Sequence, residues 1–226
     1  MGADKRIDYK KSQFDKTTTV CDNGRVMEPL ISYKVDMKEV IIMSVLEKAT
    51  VFAIERHAGM VRKGTAIPYI VHPLEAVSIA AGITSDPEIL AAAVLHDVIE
   101  DTPTTIEEIK ERFGCQVAAL VAAESEDKMP DIPAAESWKA RKEATITALE
   151  TASVPEKIIV IADKLSNIRA IHRDYTRIGN EVWERFNQKD KKMHGWYYRA
   201  IAEKLSELSE HTAYREYIKL VDIVFA

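Results

Sequence analysis

Four ionisable residues crowd into six positions, His96-Asp97-Val-Ile-Glu100-Asp101, directly after the apolar run Leu90-Ala-Ala-Ala-Val-Leu95. On a helix, His96 and Glu100 lie four apart, as do Asp97 and Asp101, so both pairs project close together at the end of a mostly buried segment. Desolvating three acids and a histidine without partners is costly. A divalent metal suits such a set, because imidazole offers a neutral nitrogen and aspartate an anionic oxygen, both good ligands for first-row metals. The bland reading is a helix C-terminus with a capping histidine and solvated acids. A His-Asp dipeptide is unremarkable by chance; Glu-Asp two residues later makes the pattern rare.

Other residues fall beside this chemistry. Asp163 sits inside the apolar helical run Lys157-Ile-Ile-Val-Ile-Ala-Asp163-Lys164-Leu. An unpaired carboxylate there is expensive, which makes Asp163 the natural further ligand for a His96-Asp97 metal. Asn167 lies one turn on, along the same face. His72 precedes Pro73 between an apolar loop and a buried helix, and reads equally as a satisfied core histidine or a metal ligand. Arg62-Lys63-Gly64 places two cations on a glycine-hinged turn, a clamp for phosphate or an ordinary charged loop. Lys139, Arg141 and Lys142 form a basic cluster that reads first as a solvated helix face. His57, near the end of a helix, reads as a surface imidazole.

The positioning elements are helical. Spacing predicts a helix over 37–58, with Asp36 and Glu39 as a capping pair, then a loop over 59–72 and a helix over 73–81 ending at Gly82. Ser85-Asp-Pro-Glu88 reads as a capping box that opens a central helix over 86–100. Further helices are expected from Thr104 to Phe113, over 115–123, over 136–152, from the Ser153-Val-Pro155-Glu156 cap onward, over 180–211 and over 213–224. The segment 124–133, with Pro130 and Pro133, is a candidate lid or rim. Thr17 to Met27, turning at Asp22-Asn23-Gly24, reads as a small β-hairpin. The expected fold is therefore an all-α bundle of about eight to ten helices. An N-terminal arm with the hairpin occupies 1–35 and the main domain 36–226.

At 226 residues and 46% hydrophobic, the chain can bury a substantial core. Its net charge of −5 argues against broad binding to nucleic acid or anionic membrane. Cys21 and Cys115 lack metal-ligand spacing and suit a reducing compartment. With neither a signal-like apolar start nor a membrane-length apolar run, a soluble cytoplasmic protein is expected. Homo-oligomerisation stays open.

The assembled set is Arg62-Lys63-Gly64…Pro68-Tyr69-Ile-Val-His72-Pro73, His96-Asp97-Val-Ile-Glu100-Asp101-Thr102, Phe113-Gly114, and Ala162-Asp163-Lys164-Leu-Ser166-Asn167-Ile-Arg169. It resembles the HD-domain metal-dependent phosphohydrolases, and within them the hydrolase domain of the RelA/SpoT homologues and small alarmone hydrolases, over roughly residues 37–200. The resemblance implies one Mn²⁺ bound by His72, His96, Asp97 and Asp163, with Glu100 and Asp101 as the catalytic acids. It implies guanine-nucleotide contacts from Arg62, Lys63 and Asn167 and, in looser alignment, from Lys139 and Tyr197. The implied reaction is metal-dependent removal of the 3′-pyrophosphate from ppGpp or pppGpp. Hydrolysis of another nucleotide, such as NADPH at its 2′-phosphate, and a non-catalytic nucleotide sensor are the alternatives. The chain departs from the family at Ser166, where a larger aromatic or histidine is usual, and in the loop 124–137.

Overall fold

A computed structural model describes residues 43–126 and 128–226. The expected hairpin, the arm and the Asp36–Glu39 cap lie outside the described residues. The described residues form ten α-helices and two short 3₁₀ turns, with an isolated antiparallel bridge between Val61 and Pro68 and no sheet among them. The all-α expectation holds.

The core is built around α3 (Pro87–Leu95), in which every residue from Ile89 to Leu95 is buried. Asp86 caps it, accepting from the Glu88 N–H at 2.9 Å, with Pro87 in the first helical position. The cap is thus Asp86 and not Ser85. Small alanines let neighbours approach α3 closely, and α1 (Val45–Arg56), α2 (Val71–Ala81), α6 (Cys115–Glu124) and α8 (Val154–Ile178) pack around it. Two further differences from the expected elements matter near the site. Helix α1 begins at Val45, where Ser44 and Glu47 form the capping box. Helix α2 begins early enough to carry His72 in its first turn, where the N–H that Pro73 lacks is not needed.

The expected central helix also breaks. Helix α3 stops at Leu95, and α4 (Val98–Asp101) resumes after His96 and Asp97. The His96 Nδ1–H donates to the Ala93 carbonyl at 2.8 Å, the acceptor that residue 97 uses in an unbroken helix. The imidazole therefore substitutes for a backbone bond, and the chain bends where the acids lie.

Helices α5 (Ile106–Phe113) and α7 (Ala134–Ala148) complete the middle of the chain. Helix α8, 25 residues long, spans about 37 Å at 1.5 Å per residue and reaches α2, α3, α6 and the C-terminal α10 (Thr212–Phe225). The expected long helix over 180–211 is divided into a 3₁₀ segment Gly179–Arg185, α9 (Lys191–Lys204) and a short 3₁₀ turn. Among the described residues no helix is long and apolar enough to cross a membrane.

Asp174, near the end of α8, is buried and accepts from Arg185 Nη1 at 2.6 Å, with Arg173 Nε at 3.3 Å. Burial works to raise the Asp174 carboxyl, but Arg185 and Arg173 outweigh it and hold the group below the usual range. This stabilisation is present above the unfolded carboxyl value and is lost as pH falls through the lowered folded value. Asp174→Asn is expected to flatten the acid side of the stability–pH profile, read by urea denaturation across the acid range. Arg185 in turn lies over Gly64, whose φ is +70°; a Cβ there would sit 2.5 Å from Arg185 Cδ. Gly64→Ala should therefore destabilise the protein by about 1–3 kcal/mol, measurable by the same denaturation.

Candidate active site

Four side chains from three places converge: His72 from the first turn of α2, His96 and Asp97 from the α3–α4 break, and Asp163 from α8. The two imidazole Nε2 atoms lie 3.2 Å apart. His72 Nε2 is 3.1 Å from Asp163 Oδ1 and 3.3 Å from Asp97 Oδ2; His96 Nε2 is 3.2 Å from Asp97 Oδ2. Ligand atoms of His72, His96 and Asp163 all fall within 4.8 Å of one another and all three residues are buried. With its Nδ1 donating to Ala93, His96 turns its other nitrogen inward. Two inward nitrogens and two carboxylates in a largely buried space call for a shared cation, and this nitrogen–oxygen donor set fits a first-row divalent metal.

The carboxylates are strongly anionic. Burial would raise Asp97, but His96 and His72 outweigh it; for Asp163, Lys164 and the two histidines do the same. Lys164 is ion-paired with Asp163 and lies 3.5 Å from Glu124, whose buried carboxyl is pushed up to about 7.

The acid pair sits on α4 beneath the loop at 125–133. Glu100 Oε1 accepts from the Glu126 N–H at 2.8 Å, and Lys128 Nζ lies 3.0 Å from Asp101 Oδ1. Arg141 and Lys142 anchor this loop through the Glu126 carboxylate, at 2.6 and 2.7 Å. Burial pushes the Glu100 carboxyl up. The Tyr69 hydroxyl lies 2.7 Å from both Asp97 Oδ2 and Asp101 Oδ2, joining the metal-type cluster to the acids.

Beside them opens a cavity of about 410 Å³ lined by Arg62, Lys63, Lys142, Lys164, Arg173 and Arg185, with Asp101, Asn167 and Tyr197. Arg62 Nη2 donates to Asn167 Oδ1 at 2.6 Å, and Asn167 Nδ2 donates to Asp163 Oδ1 at 2.5 Å. Tyr197 is buried and, among the described residues, its hydroxyl lacks a hydrogen-bond partner; burial pushes that phenol up to about 12. Lys142 stands over the Tyr197 ring at 5.1 Å.

Of the residues singled out from sequence, His72, His96, Asp97 and Asp163 meet, Glu100 and Asp101 border them, and Arg62, Lys63, Asn167 and Tyr197 line the cavity. Lys139 is not brought there: its side chain is 63% exposed and pairs with Glu143 at 3.6 Å. Its cluster-mate Lys142 is the one turned inward, as helical rotation between the two positions allows. Sequence reasoning passed over Tyr69, Arg173 and Arg185; only the place of Tyr69 between the Arg62-Lys63 turn and His72 hinted at a role. The surface reading of His57 is corrected. It is 2% exposed, packs against Tyr69 with ring centroids 4.8 Å apart, and among the described residues neither ring nitrogen has a partner. Burial holds its imidazole below the ordinary value, because α1 delivers it under the Tyr69 loop.

Comparison with known proteins agrees with this geometry. The family model described as HD domain matches residues 49–190, and the chain belongs to that family. A guanosine-3′,5′-bis(diphosphate) 3′-pyrophosphohydrolase of Aquifex aeolicus is 39% identical over 127 residues, 56% of this chain and 18% of the relative. The chain thus spans about a fifth of such long relatives. The guanosine-3′,5′-bis(diphosphate) 3′-pyrophosphohydrolase MESH1 of Danio rerio is 36% identical over 133 residues, 58% of this chain and 71% of that protein. A solved metazoan SpoT orthologue, described as hydrolysing ppGpp, superposes with a TM-score of 0.62 at 22% identity, covering 83% of this chain and 97% of its own, and shows the shared fold.

If the convergent set is a metal site, His96→Ala and Asp163→Asn should each abolish stoichiometric binding of a divalent ion in equilibrium dialysis while the far-ultraviolet helical signal persists. Binding undiminished in both would dismiss these residues as ligands.

Proposed function

We propose that this chain hydrolyses the 3′-pyrophosphate of ppGpp or pppGpp, releasing GDP or GTP and pyrophosphate, with Mn²⁺ held by His72, His96, Asp97 and Asp163. The observation that carries the reading is the junction of two chemistries: a buried nitrogen–oxygen ligand cluster opening onto a cation-lined cavity, linked through Arg62, Asn167 and Asp163. The names of the Aquifex and zebrafish relatives support the same substrate.

A bound divalent ion supplies Lewis acidity and lowers the pKa of coordinated water toward neutrality. The remaining work falls to the chain. Arg62, Lys63, Lys142 and Arg185 neutralise the phosphates that the cavity admits, stabilising charge that builds on the pyrophosphoryl group under attack. Tyr197 offers an uncommitted hydroxyl on the cavity wall. Asn167 holds Arg62 in place while bonding Asp163. Asp101, which lines the cavity, takes the proton from the attacking water. Glu100, raised by burial, is the group suited to carry a proton to the leaving oxygen. The water oxygen bonds to the phosphorus nearest the ribose as the bond between that phosphorus and the ribose 3′-oxygen breaks; the proton of the water passes to Asp101, and Glu100 gives its proton to the departing 3′-oxygen.

The test is pyrophosphate release from ppGpp by purified protein with Mn²⁺, with EDTA, and with Asp97→Ala. Mn²⁺-dependent release that is lost with chelator and in the variant is expected. Glu100→Gln and Asp101→Asn should each lower kcat by about 10²–10⁴-fold while metal binding survives. Metal-loaded protein that leaves ppGpp intact would move the substrate to another nucleotide.

A further inference from the structure

His72 is supported by a chain of side chains that the reaction itself does not use. Ser166, 2% exposed on α8, places its hydroxyl 2.8 Å from His72 Nδ1 and 2.7 Å from Glu75 Oε2. Arg169 Nη1 donates to Glu75 Oε1 at 3.0 Å, and its Nε and Nη2 grip the Glu216 carboxylate at 2.7 and 2.6 Å. Donor and acceptor capacities fix the direction of every bond. The Glu75 carboxylate, paired with Arg169, only accepts, so the Ser166 O–H donates to it. Ser166 then has lone pairs left for His72, whose proton must lie on Nδ1. In the neutral ring, the form that ligates a metal, His72 Nε2 is then the lone pair facing His96 Nε2, Asp97 and Asp163.

We infer that Ser166, Glu75 and Arg169 are positioning residues that fix the His72 tautomer and raise its basicity toward the metal, with Glu216 of α10 anchoring the far end. The inference rests on the metal-centre reading above. The two imidazoles are backed unequally. His96 leans on a neutral backbone carbonyl, whereas His72 leans through a hydroxyl on a carboxylate. An acidic partner on the distal nitrogen makes an imidazole a better ligand, and outer partners of this kind are worth about 10–100-fold in metal affinity. Ser166 is also the position where the sequence departs from the resembled family. Its small side chain leaves room for Glu75 to approach His72 through one hydroxyl.

Mn²⁺ alone, titrated against the full chain and read by the spectrum of the free ion, tests this. Ser166→Ala is expected to weaken Mn²⁺ by about 10–100-fold, and Glu75→Gln, which keeps an acceptor but removes the charge, by a smaller factor in the same direction. In the metal-free wild type, long-range ¹H–¹⁵N correlation should show neutral His72 protonated on Nδ1, and Ser166→Ala should give mixed tautomers. A merely structural serine would move neither readout. Equal affinity in wild type and both variants, or a neutral wild-type ring protonated on Nε2 and not on Nδ1, would overturn the relay. Should Ser166→Ala fail to fold, Glu75→Gln carries the test, since that side chain is 34% exposed. Because no nucleotide is present, failure of the ppGpp assay leaves this result unaffected. A wild type that takes up no Mn²⁺ overturns the metal centre and the relay together.

Discussion

Two buried imidazole nitrogens held 3.2 Å apart, with two carboxylates beside them, are the constraint on which the rest of the structure depends. Such an arrangement is unfavourable unless a cation is shared or the groups are rigidly backed. The fold supplies the backing from several directions. An alanine-rich helix lets its neighbours close in, the Ala93 carbonyl orients one ring, and the Ser166 hydroxyl orients the other. The α3–α4 bend follows from the same need, because the imidazole bond that aims His96 takes the place of a helical one.

Around this centre the charges are layered. Lys164 is paired with Asp163 and also lines the cation-rich cavity, so one ammonium serves both the ligand cluster and the cavity wall. The loop over the acids is held in a similar way. Glu126 gives its backbone N–H to Glu100 and its carboxylate to Arg141 and Lys142, so the rim and the acid pair are ordered by the same residue. Net negative charge in the chain thus coexists with a strongly basic pocket.

Much of this was legible in the sequence. The expense of burying Asp163 in an apolar helix, and the rarity of His-Asp followed by Glu-Asp, pointed to the cluster before any geometry was known. The all-α class followed from periodicity and caps, while the breaks inside 86–100 and 180–211 did not. What sequence could not show was set by rotation and tertiary contact. Lys139 and Lys142 are indistinguishable in composition, yet one faces solvent and the other the pocket. His57 looked like a surface residue because its burial depends on a loop folding over it from elsewhere in the chain. Ser85 and Asp86 are both good caps, and the choice between them turned on which one precedes the proline directly. Arg185 lies far from Arg62 in sequence, and only the break after α8 carries it over Gly64.

The run of bonds from Arg62 through Asn167 to Asp163 has a thermodynamic consequence. On the proposed function, an anionic nucleotide that draws on Arg62 alters the partner of Asn167, and so the electron density on a carboxylate of the ligand cluster. Binding at the two places is then not independent. By linkage, whatever factor the metal contributes to nucleotide affinity, the nucleotide must return to metal affinity. On the proposed function the two ligands are therefore sensed jointly, and whether each strengthens or weakens the other is set by how Asn167 re-pairs with Asp163 once Arg62 is drawn away.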